Sequence, residues 1–363
     1  MAFVEDHARR SPTDVFRLPW GTWCVRDTDL ALKVLRDPLF NSGMSGFFGD
    51  MLPTREAQIG LGHAVRTTVR AYLPAYREAM TRAVAELPAV TPWPRTGLAL
   101  VHRATADLLL RPGASPALRQ LQARSVEAGM MRSPHLRHRA RAEMLRSKRI
   151  AAATHHVAER RAEGIPTGAP RDVLDAILGA CPEGVADQRA ANLYLLLYRS
   201  IVSTVGYAVA WAVLQAGLHH PPGSPWPWPA DQITREAARH RPVVWMVGRP
   251  VPRPATYGGI AFQPGTILSV SPYLLHHDRH HWDNPHRFRP ERWAEPGEHG
   301  PYLPFSAGPF TCAGAAVAHT LITETVAALT AGSHLSVNGA TMRPIVTDSA
   351  VPGPFELQRA SAR

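Results

Sequence analysis

Cysteine, lysine and long apolar runs are all scarce in this chain of 363 residues. The three cysteines, Cys24, Cys181 and Cys312, form no Cys-x-x-Cys pair, which argues against a disulfide framework or a zinc site and fits a reducing compartment. No uninterrupted run of 18 apolar residues occurs, so no membrane-spanning helix is expected. The acidic first residues do not resemble a secretory signal, and we therefore expect a cytoplasmic protein without a membrane partner.

Negative charge is also in short supply, since the net charge is +11 and the basic residues include only two lysines, Lys33 and Lys148. This excess would attract an acidic partner surface. A general arginine bias in composition explains the same excess, and both interpretations stay open. Because the arginines are dispersed and no nucleic-acid-binding motif occurs, we expect no nucleic-acid partner.

The richest chemistry lies around Cys312, in a short loop directly before the apolar run 313–332, which predicts a helix. Backbone N–H groups and a helix N-terminus close to the thiol would lower its pKa. Glycines would let the backbone approach a flat ligand, and aromatic rings would cover that ligand. A soft thiolate in these surroundings suits an axial ligand of haem iron, whereas a lone cysteine also suits a buried structural role. The glycines and rings are Gly308, Gly314, Phe305 and Phe310.

The spacing Phe-x-x-Gly-x-x-x-Cys-x-Gly over residues 305–314 resembles the haem-binding loop of the cytochrome P450 family. Upstream, Glu236-Ala-Ala-Arg239 resembles the Glu-x-x-Arg of its helix K, and 288–293 resembles its meander segment, which contributes Arg292. The resemblance implies a mainly α fold with small β-sheets, in one haem-thiolate domain of residues 1–363. It also implies haem b as cofactor, Cys312 as its iron ligand, and a structural ion-pair cluster of Glu236, Arg239 and Arg292.

Residues 186–219 are apolar all round, which predicts a long buried helix. In the family this is helix I, and the resemblance places Thr204 where it would hydrogen-bond dioxygen and Ile201 beside the substrate. Ser203 stands where the family usually has an acid, and a serine cannot supply a proton as a carboxylic acid does. The alternative is that both hydroxyls only bond back to helix carbonyls.

Haem propionates need cationic partners, and the resemblance offers Arg249, which follows the apolar segment 243–248. Phe310 stands where the family often has a basic residue, which makes Arg249 more important. His63 and Arg66 lie on one face of a helix predicted from Gly62 and could also hold a propionate, although a solvated helix face explains them equally well.

Substrate-pocket positions follow from the resemblance alone. They lie in the glycine-rich segment 41–60, which is otherwise a surface loop, and beside the haem edge: Phe47, Phe48, Trp245 and Met246. The histidines of 276–281 would suit a metal only loosely, and their polar surroundings favour a solvent-facing segment.

Other local patterns predict a strand at 22–26, a helix capped by Asp27 that runs to Arg36, an extended proline-rich connection at 219–230 and a helix at 231–240. Residues 256–269 predict a pair of strands.

The resemblance implies a monooxygenase that oxidises a secondary metabolite or small peptide, with electrons from a ferredoxin and a ferredoxin reductase. Serine at position 203 leaves open oxidative coupling or ring closure without oxygen insertion, and a peroxide-driven mode is a third option. A non-catalytic haem protein that acts as a partner subunit is an alternative from another functional class.

Overall fold

A computed structural model of the chain describes residues 1–41, 43, 46–128, 136–165, 168–257, 259–297 and 299–361, with side chains omitted for residues 2 and 136–139. These residues form two compact units. The first unit comprises residues 1–43, 227–315 and 341–353, and the second comprises residues 44–226, 316–340 and 354–363. The expectation of a single domain stays a prediction.

The described residues are mainly helical, as predicted. Their α-helices are α1 (Ala2–Arg10), α2 (Thr28–Arg36), α3 (Arg55–Ala85), α4 (Arg95–Leu109), α5 (Pro116–Glu127), α6 (Leu136–Ala162), α7 (Val173–Ala180), α8 (Asp187–Arg199), α9 (Val205–Leu218), α10 (Ala230–His240), α11 (Pro272–His276) and α12 (Ala315–Thr330).

The strands are short and build small sheets. They are β1 (Val15–Arg17), β2 (Trp23–Val25), β3 (Val90–Trp93), β4 (Val247–Pro250), β5 (Ala255–Tyr257), β6 (Ile260–Phe262), β7 (Ile267–Val270), β8 (Ser333–Asn338), β9 (Pro344–Val346), β10 (Ala350–Pro352) and β11 (Phe355–Ser361).

The first unit is organised by the sheet β1-β2-β7-β4, in which β2 runs parallel to β7 and the other pairs are antiparallel. Helix α2 packs on this sheet and buries Ala31, Val34 and Leu35 completely. Its N-terminus is capped as predicted, because the Asp27 carboxylate accepts a hydrogen bond from the Leu30 amide at 2.7 Å. The β5-β6 and β9-β10 hairpins complete this unit.

The second unit contains the long apolar helix, built as α8, a π-helical turn at Ser200–Thr204, and α9. Helix α9 crosses α4 so closely that a Cβ on Gly97 would lie 2.9 Å from the Gly206 carbonyl oxygen. Asp187–Leu218 is the one helix of the described residues that is long and apolar enough to cross a membrane. However, 72% of its most apolar 18-residue stretch is buried inside the protein. A buried core helix meets the same criteria, so this is weak evidence for a span.

One predicted helix boundary is wrong and one predicted helix break is confirmed. Helix α3 begins at Arg55 and not at Gly62, because the Thr54 hydroxyl caps the Ala57 amide and nothing interrupts the helix before residue 62. Residues 219–229 form no helix, in agreement with their proline content. Residues 42, 44 and 45 of the predicted 41–60 loop, and residue 258 of the predicted strand pair, lie outside the described residues.

Candidate haem-binding site

The Cys312 loop closes on itself through backbone hydrogen bonds. The Cys312 amide donates to the Phe305 carbonyl at 3.0 Å, and the Ala315 amide donates to the Cys312 carbonyl at 3.1 Å, just where α12 begins. A 3₁₀ turn at Gly308–Phe310 lies within the segment that the first of these bonds closes. This arrangement leaves the Cys312 side chain exposed, with the ring of Phe305 half-buried.

Gly308 holds the loop against the C-terminal end of α2. Its φ is +74°, a left-handed conformation that glycine adopts at little cost. A Cβ at this position would overlap the Leu35 carbonyl oxygen and would lie 2.8 Å from Arg36 Cα. The absence of a side chain is therefore what allows the loop to approach the helix.

The Cys312 thiol differs from the expectation in one respect. Although part of the side chain is exposed, the protein atoms packed around the sulfur desolvate it and raise its pKa above the ordinary value, and the Gly314 N–H, which donates to the sulfur, opposes that shift only in part. The predicted lowering of this pKa is therefore wrong for the free thiol. Backbone N–H groups were predicted near the thiol, and one is present, that of Gly314, but desolvation outweighs it.

Arg249 lies on β4 beside this loop and is buried. Its Nε donates to Asn41 Oδ1 at 2.8 Å, one Nη donates to the Gly248 carbonyl at 3.0 Å, and the guanidinium lies 5.3 Å from the centre of the Phe310 ring. Burial lowers the pKa of Arg249, and within the described ranges no carboxylate forms an ion pair with it. A buried guanidinium without a carboxylate partner suits an anionic group of a ligand.

Asn41 is a residue that sequence reasoning missed. Its Nδ2 donates to the carbonyl oxygens of Leu35 and Asp37 at 3.2 and 2.8 Å, while its Oδ1 accepts from Arg249. The end of α2 is thereby joined to the arginine. No sequence signal indicated this contact, because Asn41 lies beyond the C-cap of α2 and its partner is 208 residues away.

The cluster around Glu236 is present as predicted. Its fully buried carboxylate accepts from Arg239 Nε at 3.0 Å and Nη2 at 2.8 Å, from Arg292 Nε at 3.2 Å and from Trp293 Nε1 at 3.1 Å. The Arg289 amide donates to the same carboxylate at 3.0 Å. Two guanidiniums share one carboxylate, and five hydrogen bonds satisfy it, so the cluster firmly joins α10 to the 3₁₀ turn at Pro290–Ala294.

The histidines of 276–281 divide into two groups. His276 and His277 are buried, whereas His280 and His281 are exposed, so the expectation of a solvent-facing segment is wrong for the first pair. The apolar residues of α11 turn that pair inward. Among the residues that the structure describes, no group of three or more metal-ligating side chains occurs.

In the second unit, Ser203 is buried and Thr204 and Ile201 are half-buried within the π-helical turn. The Ser200 hydroxyl donates to the Leu196 carbonyl at 2.9 Å, whereas the described part of the chain offers no such bond to Ser203 or Thr204. A π-helical turn within an α-helix is frequent at functional positions.

The remaining predicted positions are divided between the two units. Trp245 is buried in an apolar cluster with α1 and β1, and Met246 packs against the same cluster. Phe48 is buried beneath Phe47, whose side chain is half-exposed; the two rings meet edge to face at 4.9 Å. Arg66 donates to His63 Nδ1 at 2.9 Å on an exposed face of α3. Their roles in ligand binding stay predictions.

The donor set of the first unit fits haem. It offers an exposed thiol on a tightly closed loop, a glycine that permits close approach, and a buried guanidinium that pairs with no carboxylate of the described residues. The thiol suits the iron of haem, the glycine leaves room for its flat ring, and the guanidinium suits its anionic groups.

Comparison with known proteins points the same way. The Cytochrome P450 family model matches residues 230–329, which include the Glu236 cluster and the Cys312 loop. Cyclooctatin synthase of Streptomyces melanosporofaciens is 26% identical over 215 residues, which cover 51% of this chain and 47% of that protein. The chain thus matches about half the length of this curated relative.

Solved structures share the fold. A zebra fish cytochrome P450 with progesterone has a TM-score of 0.76 at 19% identity, covering 99% of this chain and 98% of that one. A mutant of P450 EryK in complex with erythromycin B has a TM-score of 0.71 at 19% identity, and the match covers 98% of this chain and 94% of that one. The matched segment carries both the cysteine loop and the Glu236 cluster, so the resemblance to the cytochrome P450 family is confirmed for residues 230–329, and the chain has the fold of the cytochromes P450.

Proposed function

We propose that the protein is a haem-thiolate monooxygenase that oxidises a small secondary metabolite or a small peptide. The observation that carries the proposal is the closed, glycine-anchored loop that exposes the Cys312 thiol and whose Phe310 ring lies against the buried Arg249 guanidinium. The cofactor in this proposal is haem b, with Cys312 as iron ligand and Arg249 as a propionate partner.

Haem held by a thiolate supplies activation of dioxygen, because the sulfur donates electron density to the iron. The chain's own residues do the rest. The Cys312–Phe305 hydrogen bond orients the ligand loop, and the Glu236 cluster supports its surroundings. Arg249 neutralises an anionic substituent of the cofactor, and the half-buried rings of Phe305 and Phe310 exclude water.

Following the family resemblance, we assign proton delivery to the π-helical turn at Ser200–Thr204. The Thr204 hydroxyl can donate one hydrogen bond and accept others, so it can pass a proton from water to a reacting oxygen. Ser203 holds no charge and can only orient a water molecule or a polar substrate group. We therefore assign the primary role to Thr204 and a positioning role to Ser203.

The substrate class follows the relatives by analogy. Two of the similar proteins are described with progesterone and with erythromycin B, and a third is named cyclooctatin synthase. Among the substrate positions that the family resemblance assigns, Ile201 and Met246 are proposed to contact such a compound. Electrons are proposed to come from a ferredoxin and its reductase, for which the net charge of +11 offers an attractive surface.

Oxidative coupling or ring closure is the second candidate, and the observation that favours it is Ser203. Without an acid beside Thr204, proton supply for oxygen insertion is weaker, whereas one-electron oxidation of a phenol or indole needs less of it. A haem-binding partner subunit without turnover is the remaining alternative.

The first experiment is the spectrum of the reduced, CO-treated protein for wild type, Cys312→Ala and Cys181→Ala. We expect the strongly red-shifted band of a thiolate ligand in wild type and in Cys181→Ala, and its loss in Cys312→Ala. Cys181 is a matched control because it is also a free, partly accessible cysteine. Failure to bind haem, or a band that survives in Cys312→Ala, would refute the proposal.

The second experiment separates the candidate reactions. Progesterone and erythromycin B are tested for a shift of the haem absorption band, and a compound that binds is turned over with a surrogate ferredoxin system under ¹⁸O₂. Incorporation of ¹⁸O supports monooxygenation, and a dehydrogenated or coupled product without ¹⁸O supports the second candidate. Reduction of the haem without consumption of any bound compound supports the partner-subunit alternative.

A further inference from the structure

We propose that His276 is a positioning residue for the Cys312 loop, because its imidazole joins the backbone of α10 to the backbone that leads into the loop. The histidine lies at the end of α11 and is fully buried. It is no part of the Glu236 carboxylate cluster, yet it contacts that cluster's arginine through the main chain.

The two hydrogen bonds define the tautomer of His276. Its Nδ1 lies 2.9 Å from the Arg239 carbonyl oxygen, which can only accept, so Nδ1 carries the proton. Its Nε2 lies 2.7 Å from the Leu303 amide, which can only donate, so Nε2 is bare. A neutral imidazole with the proton on Nδ1 is therefore the form that makes both bonds.

The connection to Arg239 runs in both directions. Arg239 Nη1 donates to the His276 carbonyl at 2.7 Å, while the His276 ring donates to the Arg239 carbonyl. The ring itself is stacked on Tyr302 at 5.8 Å and meets the edge of Trp282 at 6.3 Å. These contacts hold the imidazole in one orientation, so displacement of either backbone segment moves the other.

The Leu303 end of this connection leads directly into the cysteine loop. Leu303 is buried in the apolar core of the first unit, and its carbonyl accepts from the Ser306 amide at 3.1 Å. Ser306 has a φ of +65°, so the chain reverses there. Two residues after Leu303, the Phe305 carbonyl accepts the Cys312 amide at 3.0 Å. His276 thus sets the position of the segment that holds the Cys312 amide.

Protonation would convert Nε2 into a donor that faces the Leu303 N–H, so the bridge requires the neutral form. Burial, followed by the nearby Arg239 charge, lowers the pKa of His276 to about 3. The imidazole is therefore neutral at any ordinary working pH, and the bridge is permanent under those conditions.

Four variants of the holoprotein test the proposal. His276→Phe keeps an aromatic ring and loses both hydrogen bonds. His276→Gln carries its amide near the position of Nε2 and can still accept from Leu303, whereas His276→Asn reaches only the position of Nδ1. The control is His277→Phe. His277 is the adjacent, buried histidine, and in the described part of the chain its ring hydrogen-bonds to the Tyr273 carbonyl four residues earlier and to no residue of 303–312.

Two readouts are followed, and only one of them requires haem. Hydrogen–deuterium exchange of a peptide that spans 303–312 should become about tenfold faster in His276→Phe and His276→Asn, as expected for one lost hydrogen bond. In the same two variants, part of the red-shifted band of the reduced CO complex should convert to an unshifted band. His276→Gln should restore both properties more completely than His276→Asn, and His277→Phe should match wild type.

The spectroscopic readout rests on the proposed haem-thiolate function, whereas the exchange readout does not. A protein that binds no haem but shows the exchange pattern would retain this inference and refute the proposed function. The inference would be overturned by an unchanged exchange rate in His276→Asn or by equal effects of His276→Asn and His276→Gln. It would also be overturned if His277→Phe changed the exchange as much as His276→Phe does. If His276→Phe fails to fold, the comparison of Asn with Gln still decides.

Discussion

Replacement of Gly308 by alanine tests how strictly the cysteine loop depends on its approach to α2. The φ of +74° alone makes an L-residue less favourable by about 1–2 kcal/mol. The new Cβ would also overlap the Leu35 carbonyl oxygen and lie 2.8 Å from Arg36 Cα. Because both neighbours are backbone atoms of a packed helix, relief requires the loop or α2 to shift, at an overpacking cost of about 1–3 kcal/mol. We expect a total destabilisation of about 2–5 kcal/mol.

Gly265→Ala is the matched control, since its φ is +83° and an added Cβ would meet nothing within 4 Å. It should cost only the backbone contribution of about 1–2 kcal/mol. The free energy of unfolding from urea titration compares the two variants, and the reduced CO spectrum reports the loop. Gly308→Ala should also weaken the thiolate-type band, whereas Gly265→Ala should not. Equal stability losses together with an unchanged spectrum in Gly308→Ala would refute the reasoning from close approach.

Further predictions concern buried charge, acid and proton delivery. Glu236→Gln leaves two buried guanidiniums without their carboxylate, so urea titration should show a loss of about 3–5 kcal/mol, and a loss under about 1 kcal/mol would contradict the buried ion pair. Burial lowers the pKa of His102 to about 4 and of His276 to about 3, and that of His277 well below its usual value. Since the unfolded chain binds protons at higher pH than these buried imidazoles, stability should fall as the pH drops below about 6.5, by roughly 1.4 kcal/mol per pH unit for each histidine. Unfolding free energies measured between about pH 6 and pH 5 should therefore show uptake of more than one proton on unfolding, and uptake of less than one would show that these imidazoles are not buried and neutral. Thr204→Ala should lower the amount of product formed per electron consumed at least tenfold, because a positioned hydroxyl supplies a typical share of proton transfer. The CO spectrum should stay unchanged. An unchanged yield of product per electron would remove Thr204 from the mechanism.

Sequence patterns that act over one helical turn were predicted well, because a local spacing determines the geometry by itself. Glu236 and Arg239 are three residues apart and pair through a bidentate contact at 3.0 and 2.8 Å. Asp27 caps α2 for the same local reason. The extended 219–229 connection also follows from proline content, whereas the mainly helical fold was implied by the family resemblance.

Properties that depend on desolvation could not be predicted from spacing. Local features near Cys312 suggested a lowered pKa, yet the packing of the whole loop decides the direction and raises it. The histidines of 276–281 are polar in sequence, but α11 carries His276 and His277 into the core while His280 stays exposed. Burial is a property of the packed chain, and a short polar segment does not reveal it.

The sequence alone determined that a cysteine with two nearby glycines precedes an apolar helix and that a Glu-x-x-Arg pair lies upstream, because these are fixed spacings along one chain. The tertiary structure decided which distant residues support that cysteine. The bond from Arg249 to Asn41 spans 208 residues, and the His276 bridge reaches 37 residues back to Arg239 and 27 residues forward to Leu303. Such bonds form only when separate segments are packed together and buried polar groups must find partners within the fold.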